Sequence, residues 1–140
     1  MGIEIITDRA KPRDLWRSIG HGLRCRCPKC GEGKLFRGYL KVTDTCPACG
    51  EELHHHRADD LPPYLAIIIV GHLLVFLMLD LEMSFHVEPV TYLWTILPLA
   101  IVLPLAILPS IKGAVVGLQW ANRMHGFDPL HRDPAEPDEF

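Results

Sequence analysis

Two Cys-Pro-x-Cys-Gly knuckles fifteen residues apart, followed by two long apolar stretches almost without ionisable side chains, predict a small β zinc ribbon joined to an α-helical transmembrane hairpin of two helices. The uneven placement of basic residues is the third observation, and it sets an expected orientation.

The knuckles are Cys27-Pro28-Lys29-Cys30-Gly31 and Cys46-Pro47-Ala48-Cys49-Gly50. Each offers two thiolates from one tight turn, and together Cys27, Cys30, Cys46 and Cys49 complete the tetrahedral sulfur shell that structural Zn²⁺ prefers. Pro28 and Pro47 stiffen the turns, while Gly31 and Gly50 allow the positive φ that aims backbone N–H groups at the sulfurs. Two redox pairs or two disulfides are the competing readings. Four thiolates leave no coordination position for water or substrate, so the single zinc folds the segment and does not catalyse. Residues 21–53 form the ribbon, which at this size cannot bury a core of its own, since chains below about 40 residues usually need a metal or a partner. Phe36, Tyr39, Leu40 and Val42 supply its hairpin, with Gly33 and Gly38 at the turns. Cys25 is read as a spare thiol or a substitute ligand.

Residues 61–79 contain His72 as their one ionisable group, and residues 90–111 carry no charge. About 20 apolar residues span the hydrocarbon as helix, so both qualify as transmembrane segments. The chain has too little other protein to bury them as core helices. Eleven of the fourteen Lys and Arg precede residue 61, whereas the connection 80–89 holds Asp80, Glu82 and Glu88 with no Lys or Arg. The positive-inside rule then places both termini and the ribbon in the cytoplasm and the short acidic loop outside. With no apolar signal region at the N-terminus, the first span is its own insertion signal. A reducing cytoplasm again favours zinc over disulfides. The net charge of −3 conceals this polarity.

The remaining segments follow. Residues 1–20 are a mixed-charge lead in which residues 14–19 read as a short interfacial helix with Trp16 at the headgroups. Residues 54–60 link ribbon to membrane, with Asp59 or Asp60 capping the first span and Pro62 and Pro63 tolerated in its first turn. Residues 112–125 extend the second span as helix, Lys112 snorkelling and Trp120 near the interface, until Gly126 stops it. Residues 126–140 form an acidic, proline-rich tail expected to be disordered. Pro98, Pro104 and Pro109 each remove a backbone hydrogen bond from the second span. Gly113 and Gly117, with Ala121, make a small-residue stripe read as a contact surface for a partner, the ribbon or lipid headgroups.

Several other side chains are candidate sites. His72 is costly in hydrocarbon, which points to a partner helix, a proton relay or a haem. His54, His55, His56 and Asp59 form a second candidate metal set, although consecutive histidines diverge on regular backbone and a solvated linker is the plainer reading. The same holds for Asp80, Glu82, His86 and Glu88 on the outer loop. Arg24, Arg26, Lys29, Lys34, Arg37 and Lys41 give the ribbon a basic face that suits nucleic acid, but anionic membrane lipid asks for the same charge. No phosphate loop, nucleophile elbow or metalloprotease helix is present, and no small-molecule substrate is implied.

The segments GLRCRCPKCGEGKLFRGYLKV, CPACGEEL, HRADDLPPYLAIIIVGH and LPSIKGAVVGLQW resemble the DUF983 family, over residues 19–122. The resemblance implies a small bacterial inner-membrane protein with a zinc ribbon before two transmembrane helices, its metal cysteines falling on Cys27, Cys30, Cys46 and Cys49. It further implies a respiratory-chain context, as an accessory subunit or assembly factor of a haem–copper cytochrome c oxidase. A metal-handling or redox protein using the Cys pairs or the histidine cluster, and a membrane-anchored sensor or nucleic-acid-binding ribbon, are the alternative expectations.

Overall fold

The computed structural model describes residues 12–55, 60–124 and 127. Among the described residues the order is α1 (Leu15–Leu23), β1 (Phe36–Gly38), β2 (Lys41–Val42), α2 (Leu61–Phe85) and α3 (Pro89–Ala121).

The two long helices pack on each other, joined by residues 86–88. On α2 the seam is Pro62, Ala66, Val70 and Leu74, a ridge of every fourth residue that keeps one narrow face inward. Asp60 stands at the N-cap without a side-chain capping bond, and Pro62 and Pro63 lie in the first turn. Both helices are long and apolar enough to cross a membrane, yet only 17% of the apolar window in each is buried within the chain. A core helix of a soluble protein would be mostly covered. Here the larger part of the apolar surface faces outward.

Helix α2 runs beyond residue 79 to Phe85, and the expected ten-residue connection shrinks to three. Asp80 and Glu82 do not break a helix, and Glu82 accepts a hydrogen bond from the Tyr92 hydroxyl at 2.7 Å, which ties the two helices at that end. His86, in the left-handed region at φ 48°, ends α2 with its N–H on the Glu82 carbonyl. Likewise 90–111 and the expected extension are one helix of 33 residues, with no proline between Ile111 and Ala121.

The C-terminal part of α3 carries the ribbon and α1. Helix α1 begins at Asp14, whose carboxylate accepts from the Arg17 amide at 3.2 Å. It lies on α3 with almost no space between the backbones. A Cβ at Gly113 would overlap the Gly22 carbonyl, and one at Gly117 the Ser18 carbonyl. The small-residue stripe is therefore covered by a helix of the same chain, and Ser18 and Gly22 at the same four-residue spacing are its counterpart. Trp16 points away from this seam and is 80% exposed.

The ribbon sits beside it. Its hairpin pairs Phe36 with Val42 and Gly38 with Lys41, and in the turn that follows Gly38 it is Leu40, at φ 59°, that takes the left-handed position. Cys27, Leu35, Val42, Cys46 and Leu53 form one buried cluster with Val115, Val116, Trp120 and Phe127. The zinc is thus not the ribbon's whole core; the helix end supplies the other half. This placement also corrects two expectations. Trp120 is buried under the ribbon, and Lys112 donates to the Leu40 carbonyl at 2.8 Å, where snorkelling to an interface was expected.

A second bond to the hairpin tip has a specific cause. Pro109 has no N–H, so the Leu105 carbonyl four residues earlier loses its helical donor. The Tyr39 hydroxyl donates to that oxygen at 2.6 Å. Replacing Tyr39 with Phe is expected to lower ribbon stability by about 1 kcal/mol, the net worth of such a bond. In a Pro109→Ala background the helical donor to Leu105 is restored, and the same change should cost close to nothing. Zinc release during denaturant unfolding, measured across this double-mutant cycle, checks the coupling, and equal costs in both backgrounds would refute it.

Candidate metal centre

Each knuckle closes in the same way. The Gly31 amide donates to the Cys27 carbonyl at 2.8 Å, the Gly50 amide to the Cys46 carbonyl at 3.0 Å, and both glycines have positive φ, 71° and 73°. The turns then present amides to sulfur: Lys29 and Cys30 to Cys27, Glu32 and Gly33 to Cys30, and Glu51 to Cys49.

The four sulfurs lie within 4.8 Å of one another. Cys27 Sγ is 3.7 Å from Cys49 Sγ, and Cys30 Sγ is 3.8 Å from Cys46 Sγ. A tetrahedron with Zn–S of about 2.3 Å has edges of about 3.8 Å, so the spacing fits one zinc ion. It does not fit disulfides, and none of the five cysteines is disulfide-bonded. The electrostatics agree. Burial pushes the Cys27 thiol well above its ordinary range against the pull of two amides, and it raises Cys49 as well. Burial acts the same way on Cys30, but there the Gly33 and Glu32 amides and the neighbouring sulfurs prevail and bring it down to about 7. Four thiolates cannot share this space uncompensated; a divalent cation at their centre is what makes them compatible. With all four positions taken by sulfur, the ion is structural.

Two contributors escaped the sequence reading. Gly33, at the bend after the first knuckle, also leaves room for a ligand, since a Cβ there would strike Cys46 Sγ. Glu51 joins the second knuckle to the rest of the molecule. Its carboxylate accepts from Lys29 Nζ at 2.7 Å and from the Trp120 indole N–H at 2.9 Å. Arg13 then lies over the Trp120 ring at 4.3 Å and donates to the Trp120 carbonyl at 2.7 Å. A glutamate immediately after a Cys-x-x-Cys-Gly knuckle was the available signal; the tryptophan 69 positions away was not.

The remaining candidates are dispersed. Cys25, at φ 57°, stands outside the sulfur group. His54 and His55 are brought together with Glu52, a residue absent from the expected set, while His56 and Asp59 lie outside the described residues. His72 is exposed on α2, on the face opposite the Val70–Leu74 seam. Its Nδ1 is 2.7 Å from the Ile68 carbonyl, which can only accept, so that nitrogen donates and Nε2 is the ring nitrogen left for a partner.

Cys27→Ser or Cys46→Ser is expected to abolish zinc binding and unfold the ribbon, because metal binding and folding share one free energy. Gly33→Ala should weaken zinc binding while leaving every ligand in place. Zinc content by elemental analysis, with chelator-release rates, checks both; a Gly33→Ala protein with unaltered release would exclude the proposed steric role.

In comparisons with known proteins, the family model described as "Protein of unknown function (DUF983)" matches residues 36–120, more than half of the chain, taking in the second knuckle, both long helices and Trp120. No curated protein and no solved structure matches. A four-cysteine zinc site seated on the end of two long apolar helices, within a chain so matched, is the zinc-binding head of a member of the DUF983 family.

Proposed function

We propose that this chain is a non-enzymatic integral membrane protein that docks on a larger membrane complex, with its zinc ribbon and both termini on the cytoplasmic face of a bacterial inner membrane. The complex implied by the family resemblance is a haem–copper cytochrome c oxidase, for which the chain serves as accessory subunit or assembly factor.

The observation that carries this reading is His72. An otherwise apolar run, residues 61–79, holds an imidazole that faces away from α3, with its Nε2 left for a partner. In hydrocarbon an unmet acceptor is costly, and a donor on a neighbouring transmembrane helix removes that cost. In a second copy the facing His72 would present the same lone pair, which favours a different protein as the partner, offering a hydroxyl, amide or indole N–H at this depth. The closed sulfur site supports a role without catalysis, and the exposed Arg24, Arg26, Lys34 and Lys41 suit an anionic lipid surface.

Purifying the tagged chain from its native membranes in mild detergent tests the assignment. Oxidase subunits at near-equal stoichiometry, lost in His72→Leu while zinc content stays at one per chain, are the expected result. Recovery of the chain alone would overturn docking, and a different set of stoichiometric subunits would overturn the oxidase assignment. Orientation has its own check. A reporter fused after Phe140 should be active only in its cytoplasmic form, and periplasmic activity there would invert the topology.

A further inference from the structure

Past the second knuckle the chain builds another cluster of metal-binding side chains. Thr45 pairs with Glu52 in an isolated antiparallel bridge, and the Leu53 amide donates to the Asp44 carbonyl at 2.8 Å. Leu53 is fully buried, so Glu52 and His54, on either side of it along an extended segment, emerge together on the opposite face. A turn at residues 54–55 then brings His55 to the same side. This is how consecutive histidines, which diverge on regular backbone, come to lie with ring centroids 4.0 Å apart. Phe127 meets His55 edge-on at 5.9 Å and limits its freedom.

We propose that Glu52, His54 and His55 form a second metal site, selective for a borderline divalent ion such as Zn²⁺, Ni²⁺, Co²⁺ or Cu²⁺, and exchangeable with solvent. The donor atoms of the three residues lie within 4.8 Å of one another, and His55 Nε2 is 3.0 Å from Glu52 Oε2. Ligands held at about 2.0–2.1 Å from a tetrahedral ion are about 3.4 Å apart, so small side-chain rotations suffice. Two imidazoles and one carboxylate select borderline ions over Mg²⁺ or Ca²⁺, which ask for oxygen throughout. Three protein ligands leave positions for water, unlike the sulfur site. Glu52 and His54 are exposed, so the ion can enter and leave without opening the fold. The protein thus carries one permanent ion and, a few residues away in sequence, one that turns over.

Nickel titration of the full-length protein in detergent, carrying a tag without histidine and dialysed so that only the sulfur-bound zinc remains, followed by calorimetry, tests this. One Ni²⁺ per chain is expected in addition to the zinc. Glu52→Gln and His54→Ala should each weaken it at least about tenfold, the loss that even an outer-shell partner of a ligand can cause. Zinc content should remain at one per chain in both, which separates loss of this site from loss of the fold. His56→Ala and Asp59→Asn should leave nickel binding unchanged. Absence of a nickel equivalent in the parent protein would overturn the proposal. So would nickel binding that survives Glu52→Gln and His54→Ala, or that depends on His56, Asp59, His125 or His131.

Discussion

The contact on which the molecule depends is the seat of the ribbon on the last turns of α3. A metal fixes four sulfurs, but four sulfurs and a short hairpin do not bury enough apolar surface to hold an orientation. Leu35, Val42 and Leu53 find the missing half of a core in Val115, Val116 and Trp120. Glu51 makes that junction specific, since one carboxylate engages the first knuckle through Lys29 and the helix through the Trp120 indole. Metal geometry and helix position are therefore linked through a single side chain that neither ligates the ion nor belongs to the helix.

The defects of α3 become attachments under the same constraint. A proline in a helix frees a carbonyl, and in an apolar setting that oxygen must be met by something. At Pro109 it is met by a tyrosine from the hairpin tip. Glycines that weaken a helix elsewhere here allow α1 to approach until backbone touches backbone. Pro109, Gly113 and Gly117, which look like faults along the helix, are places where the ribbon and α1 are fastened.

Much of this could be read from the sequence, and the reasons differ by element. The sulfur site was legible because its determinants are local: a knuckle is five residues, and its proline and glycine have fixed conformational meanings. The long helices were legible because apolar length is summed over a window. Their ends were not, since a helix continues through acidic residues once a tertiary bond such as Tyr92–Glu82 supports it. The seat of the ribbon and the packing of α1 depend on residues about 70 to 100 positions apart, and nothing in a single sequence announces such pairs. Trp120 shows the difficulty well: a tryptophan following a long apolar run has the pattern of an interfacial anchor, and only its indole bond to Glu51 shows where it sits. The histidine cluster was visible as composition, but the place of Glu52 beside it was not, because the buried Leu53 sets the face on which Glu52 emerges.

The continuity of α3 has a mechanical consequence. Its 33 residues make a rod about 50 Å long, gripped at one end by α1 and the ribbon and bare along most of the remainder. A tilt of roughly 10° about its far end would carry the head sideways by about 9 Å. The zinc-bearing head is in effect the pointer of a lever, and whatever presses on the exposed length of the rod sets where the pointer stands.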